Sequence, residues 1–511
     1  MLTALWLVPV AGAVVVALLP ERFVRPAGLL AALVALALAI TAAVTFQFGH
    51  HGYQFEEYAP WVSNYSIAYH LGLDGISLWL VLLNAFLTVV AVLATGDRIA
   101  RRRGFIALLL LLEGGMAGVF LAADLLLFYV FWEAQLIPAY FLLWQWGDSP
   151  GSGRRVSGAS AATKFVLYTL AGSLLALVAV IGEYVYAGGG AHTFDLATLA
   201  SHPPTQSIQF GLFFLFGLAF AIKVPLFPFH GWLPDAYLAA PVPLLVTFAG
   251  VMGKTGAYAM LRILLPLLPH PVLWWDWNSV VPWLAVGGIL WGALMALAQR
   301  DMKLLVAYSS VSHMGFIVLG IFAFNQQGQQ GAVLQMVNHG IIVPALFLLI
   351  GWIAARVGTY DRAALKDLAP RMPVLAGVFL VATLATLGLP MLNSFVGEFM
   401  TLLGAWQFQT WLAIVGALGL VLAPVYMLRL YQGLMYAAPG EQLPGPPATD
   451  HGHHGAHPAG EGAAVARSDI LPRELGLLVP LLLLMALLGL YPYLLTQAMT
   501  SLGFPLPVPW R

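Results

Sequence analysis

Six ionisable side chains lie deep inside stretches that are otherwise apolar. Glu133 sits in "LLLFYVFWEAQLIPAYFLLWQWG", Lys223 in "AFAIKVPLFPFHGWLPDA" and Lys254 in "VTFAGVMGKTGAYAML". His313 lies in "AYSSVSHMGFIVLG", His339 in "QMVNHGIIVPALFLL" and Glu398 in "GLPMLNSFVGEFMTLL". Glu113 is a further candidate, and His230 follows Lys223 by seven residues. Placing such a group in hydrocarbon costs at least ~2.5–3.5 kcal/mol on insertion scales, so each needs a partner or a purpose. Lysine, histidine and glutamate can all take up and release a proton, and their succession reads as a proton relay. Blander readings stand beside it. A lone buried histidine often only bridges two helices, and Glu133 with Lys223 can form a static ion pair. Lys254 has no acid within its own run, which weakens the structural reading there.

The elements that carry these groups follow from composition. Of 511 residues, 60% are hydrophobic and 9% charged, and the mean hydropathy is +0.86. A soluble chain would carry about 25% charged residues. The class is an all-α integral membrane protein. A helix needs about 20 apolar residues to cross a bilayer. Such runs number fourteen, at about 2–20, 26–46, 75–96, 104–122, 124–146, 162–187, 208–239, 243–266, 279–298, 303–325, 331–356, 374–404, 410–435 and 472–496. The first has no basic lead-in and no clear cleavage site, so it is read as a retained helix.

Lysine and arginine set the orientation. Arg22 and Arg25, Arg98 to Arg103, Arg154 to Lys164, Arg300 and Lys303, Arg356 to Arg371 and Arg429 to Arg473 all fall after odd-numbered runs. The opposite ends hold only Arg262 and Arg511. Both termini are therefore expected on the outer, periplasmic side of a bacterial inner membrane, a parity that fourteen crossings satisfy.

Runs seven and twelve are interrupted. Pro225 and Pro228 break one, and Gly388, Pro390, Asn393 and Ser394 the other. Proline removes a helix hydrogen bond, and free backbone groups at membrane depth belong against protein or a wet cavity. Breaks five helices apart face opposite sides, which is the mark of inverted repeats. The expected organisation is 1–103 for helices 1–3, 104–266 for a first five-helix repeat (helices 4–8) and 279–435 for a second (helices 9–13). A Gly/Pro/His loop at 436–471 and a last helix within 472–511 complete it. A linker explains the loop more simply than metal binding by His451, His453, His454 and His457.

There is no cysteine, so the chain offers no disulfide, iron–sulfur ligation or thiol catalysis, and no cofactor is expected in it. Its net charge of zero carries no nucleic-acid footprint.

Over essentially its whole length the sequence resembles the antiporter-like subunits of bacterial NADH-quinone oxidoreductase, or respiratory complex I. The resemblance is carried by "FWEAQLIPAYFLLWQWG", "KVPLFPFHGWLPDA", "GKTGAYAMLR", "RDMKLLVAYSSVSHMGF" and "NSFVGEFM". The glutamate of the last motif is similar to the M branch, the counterpart of mitochondrial chain 4, whose paralogues carry lysine there. The resemblance implies that Glu133 and Lys223 are a coupled pair in an inner half-channel and Lys254 the central relay. It implies that His313 and His339 continue the axis, that Glu398 leads to the outer exit, and that His230 follows the first break. It also implies the two paralogous subunits and lipid as neighbours, protons as cargo, and NADH:quinone chemistry elsewhere in the complex. One stretch departs from the family, "APVPLLVTFAG", where relatives carry Thr and Ser.

Three rivals remain at this point. One is a subunit of a multisubunit sodium/proton antiporter. Another is a haem anchor with His313 and His339 as axial ligands, and the third is a structural spacer, which the buried charges argue against.

Overall fold

The structure is a computed structural model that describes every residue except 51, 97–98, 149–155, 274, 437–468 and 500–511. The histidines of the Gly/Pro/His loop lie outside the described residues, as do Arg154, Arg155 and Arg511.

Each apolar run is filled by helix. The first half is built from α1 (Leu2–Leu18), α2 (Glu21–Thr45), α3 (Ser77–Ala94), α4 (Arg102–Leu121), α5 (Leu125–Trp146), α6 (Gly158–Tyr186), α7a (Gln206–Lys223), α7b (Trp232–Ala239) and α8 (Val242–Leu267). The second half comprises α9 (Trp275–Ala298), α10 (Met302–Ile321), α11 (Gln326–Val357), α12a (Pro373–Thr386), α12b (Asn393–Phe408), α13 (Thr410–Met435) and α14 (Pro472–Leu490). Among the described residues, 12 helices are long and apolar enough to cross a membrane. The first and twelfth runs hold shorter ones, because α1 stops after 17 residues and run twelve is split. Length alone therefore does not test the expected count of fourteen, which turns on these two runs.

The all-α class holds, with one pair of strands beside the helices. Gln54–Val62 (β1) and Ile67–Leu73 (β2) pair as an antiparallel hairpin. The stretch is rich in aromatic residues, which suit a strand, and too polar for lipid. Its Glu57 closes the open end of α1, accepting from the backbone N–H of Leu2 at 2.7 Å and of Thr3 at 2.9 Å and pairing with the Met1 amino group. Free N–H groups of a first helical turn need such an acceptor.

The bundle is organised around α8, which among the described residues is the candidate span with no exposed stretch. It packs against α3, α4, α7a, α10 and α11. By contrast only 28% of the α2 window and 22% of the α14 window is buried, so these helices form the rim.

Two local devices occur in both halves. Asp124 caps α5 and bridges to Asp195, which caps a short helix after α6. Asp301 caps α10 and bridges to Asp361, which caps the 3-10 turn after α11. The broken helices also end alike. Leu226 N–H donates to Ala221 O at 2.9 Å after α7a, and Leu389 N–H donates to Leu384 O at 3.1 Å after α12a. In both, the hydrogen bond reaches back five residues and closes the helix before the chain turns. Asn393 and Ser394, expected within the second break, instead start α12b and are fully buried. The second break is confined to residues 387–392.

Candidate functional site

Lys254 stands at the centre. Two π-helical turns, Phe248–Met252 and Met260–Leu264, flank its α-helical segment Gly253–Ala259. Such wide turns release backbone carbonyls from regular pairing. Lys254 Nζ donates to one of them, Ala249 O, at 2.6 Å. Its other neighbour is His339 Nδ1 on α11, at 2.8 Å. The reach is made possible by glycine. A Cβ on Gly340 would stand 2.8 Å from Gly250 O, and one on Gly250 only 3.2 Å from the Pro344 ring, so α8 and α11 touch through bare backbone.

From His339 the polar line continues. The rings of His339 and His313 are 5.8 Å apart between centroids, and both Nε2 atoms are buried without a partner. His313 Nδ1 lies 2.9 Å from Glu398 Oε1 on α12b. Ser394, one turn before Glu398, donates its hydroxyl to that oxygen at 2.9 Å. Gln335, one turn before His339 on α11, donates its amide to Ser394 Oγ at 3.0 Å and to Glu398 Oε1 at 3.1 Å. Gly388, in the α12 break, has φ +74°, and a Cβ there would meet Glu398 Oε2 at 2.8 Å. The carboxylate thus rests against the break itself. Lys254, His339, His313 and Glu398 are each at most 5% exposed.

On the other side of α8, Lys223 ends α7a, where the helix is about to break. Its ammonium lies 5.3 Å from the Trp132 ring and 6.0 Å from the Phe165 ring, and no protein group hydrogen-bonds to it. Aromatic faces stabilise a cation without fixing it in one direction. Glu133, half-buried on α5, approaches the same pocket. No ion pair within 4.0 Å joins the two among the described residues, so the expected pair is not a closed salt bridge here. Gly256 brings α8 against the break, its would-be Cβ 3.1 Å from Lys223 Cβ.

His230 stands apart from this line. It accepts from the Trp291 indole at 3.1 Å and stacks on Phe227, towards α9. Several placements had escaped sequence reasoning. Gln335 had a signal, since it precedes His339 by four residues and must share its helix face. Glu183, fully buried on α6 with neither carboxyl oxygen paired, looks in sequence like the end of a span. Lys303, counted as a loop cation, is buried and donates to Leu238 O at 3.1 Å and Ala240 O at 2.7 Å, capping α7b. Arg262 pairs with Asp74 at 2.7 Å, tying the end of α8 to the start of α3.

Residues 122–423 match the model of the NADH:quinone oxidoreductase/Mrp antiporter transmembrane family, and this segment contains every site residue except Glu113. NADH-quinone oxidoreductase subunit M of Escherichia coli is 38% identical over 443 residues, covering 86% of this chain and 82% of its own. The chain belongs to the subunit M family. Subunit M of Mycobacterium tuberculosis is 37% identical across 96% of this chain and 91% of its own length. Among solved structures, a chain of respiratory complex I from Thermus thermophilus superposes with a TM-score of 0.84 at 32% identity, covering 99% of both chains. A chain of the Mrp complex from a Dietzia species reaches 0.82 at 23% identity over 98% of this chain and 96% of its own, a likeness of fold. Subunit M is part of an enzyme complex, and the chain is a multi-pass membrane protein of that family.

Proposed function

We propose that this subunit carries protons across the membrane arm of a bacterial respiratory complex I, driven by NADH:quinone chemistry in other subunits. Its neighbours are the other membrane-arm subunits, including its two antiporter-like paralogues, and no redox cofactor resides in it. The single observation that carries the reading is the polar line Lys254–His339–His313–Glu398 through an apolar bundle, in close contact at both ends and with two imidazoles 5.8 Å apart at its middle.

A proton enters by Glu133 and is taken up at Lys223, where the aromatic pocket holds the cation loosely. It passes along α8 to Lys254, then through the two imidazoles to Glu398 and out past the α12 break. Glu133, Lys223, Lys254, His313, His339 and Glu398 take and release the proton, while His230 steadies the first break against α9. The two breaks and the matched aspartate bridges support two inverted five-helix repeats, residues 104–266 and 279–435, and the placement of lysine and arginine supports both termini outside. A sodium/proton antiporter subunit draws support from the shared family model and from likeness of fold, whereas the relatives at 37% and 38% identity are subunit M.

The test is NADH-driven proton uptake by membrane vesicles whose only copy of the chain carries Lys254→Ala. Loss of uptake, with assembled complex still visible on native gels, is expected. Uptake at the parental rate rejects the reading.

A further inference from the structure

Helix α12b, which carries Glu398, is fastened to α11 at three polar points. Towards its far end Asn325, the N-cap of α11, donates to Gly404 O at 2.8 Å. In the middle Gln335 reaches Ser394 and Glu398. At the break, Asn338 of α11 donates its amide to the carbonyl of Asn393, the first residue of α12b, at 2.7 Å. Between these points the two helices meet through glycine. A Cβ on Gly397 would fall 2.5 Å from Gln335 Oε1, one on Gly331 2.6 Å from Thr401 N, and one on Gly404 2.4 Å from Gly328 Cα.

The third point has no part in the path described so far. Asn338 is 1% exposed and Asn393 fully buried, and no protein group hydrogen-bonds to Asn338 Oδ1 or to either atom of the Asn393 side-chain amide. A buried amide atom without a partner costs more than an apolar group of the same size. Packing alone therefore does not account for Asn338, but the direction of its bond does. The chain ahead of Asn393 is not helical. Residues 387–392 form the break, with φ of +74° at Gly388 and +77° at Met391. The break itself rests on α14, where a Cβ on Gly489 would meet Met391 O at 2.3 Å. No preceding helical turn steadies the start of α12b, and Asn338 supplies a fixed point there. Ser394 follows Asn393 directly, and Glu398 comes one turn later. The Ser394 hydroxyl donates to Glu398 Oε1 at 2.9 Å, and the same oxygen lies 2.9 Å from His313 Nδ1. Consecutive residues of α11 thus face the two ends of the line, His339 towards Lys254 and Asn338 towards the turn that leads to Glu398.

We propose that Asn338 is a positioning residue for the Glu398 end of the path: by pinning the first turn of α12b to α11, it holds Glu398 within reach of His313. Its amide donates and accepts hydrogen bonds but does not titrate, so it carries no proton itself. The inference rests on the proton-carrying role of Glu398 proposed above.

The test uses the assembled complex with Asn338→Leu, which keeps the volume and removes the donor. NADH-driven pumping is expected to fall about tenfold with assembly retained, within the range that a misplacement of about 1 Å costs. In infrared difference spectra taken during turnover, the carboxyl band of Glu398 is identified as the one that Glu398→Asp moves. That band is expected to shift in Asn338→Leu as well, and a merely structural role would leave it in place. If the leucine variant does not assemble, Asn338→Ala is read by the same two measurements. Parental pumping in the assembled variant, or lowered pumping with the Glu398 band unmoved, overturns the inference. If Glu398→Asp moves no carboxyl band and Glu398→Ala pumps at the parental rate, the role of Glu398 falls, and with it the reading on which the inference rests.

Discussion

Lys254 on α8 and His339 on α11 are joined at 2.8 Å across a contact made by two glycines, Gly250 and Gly340. No acid takes part in this link, so it joins two bases rather than an ion pair. That arrangement explains why a lysine is used. An arginine would keep its proton, and an alanine would leave the imidazole alone in an apolar core.

The glycine contact predicts the effect of a single methyl. Gly340→Ala places a carbon 2.8 Å from Gly250 O, which forces α11 away from α8. The expected cost is about 1–3 kcal/mol of stability, together with a marked loss of pumping as His339 moves out of reach. Thermal unfolding of the purified complex and vesicle pumping check both. A variant that pumps at the parental rate contradicts the role of this contact.

Glu133→Gln keeps shape and removes charge next to Lys223. Assembly should persist while pumping and coupled quinone reduction fall by on the order of tenfold or more. The open arrangement of the two side chains is the reason for expecting little structural damage. No closed salt bridge is lost.

Glu398 accepts from Ser394 and Gln335 and faces His313, so Glu398→Ala should interrupt the exit. Glu398→Lys is expected to retain part of the activity, because lysine also exchanges protons and the family's paralogues carry it there. If alanine instead prevents assembly while any assembled remainder pumps normally, the residue is structural.

At the β1–β2 hairpin, His70 lies 3.1 Å from both Asp195 and Glu56. The Asp195 hydrogen bond raises the imidazole above its ordinary 6.5, against the opposing effect of burial. Burial alone would raise Asp195, but its bonds from His70 and Thr198 hold it below the usual range. The His70 contribution is therefore full below 6.5 and fades as pH rises through the raised folded value. Hydrogen exchange of residues 67–73 should speed up with pH beyond its intrinsic dependence, and His70→Gln should abolish that excess.

Much of this was legible in the sequence, because lipid makes errors of patterning expensive. The runs, both breaks and all six axis residues follow from apolar length and from charges that hydrocarbon does not tolerate. The hairpin was missed because Gln54 to Leu73 has neither span length nor a polar run like that of a loop. Lys303 was misread because a cation near a helix start looks the same whether it meets water or caps the end of α7b. The Lys254–His339 bond was out of reach of the sequence: the residues are 85 positions apart, and the glycines that join them are not distinguishable from the others in the chain.

The central claim is that Lys254 releases its proton, and Lys254→Arg in the reconstituted complex tests it most directly. Arginine preserves positive charge at nearly the same place but does not give up a proton in a protein. NADH-driven acidification of proteoliposomes should fall to background while the complex remains assembled on native gels. Acidification at the parental rate would show that Lys254 is a fixed charge, and would contradict a proton path through it.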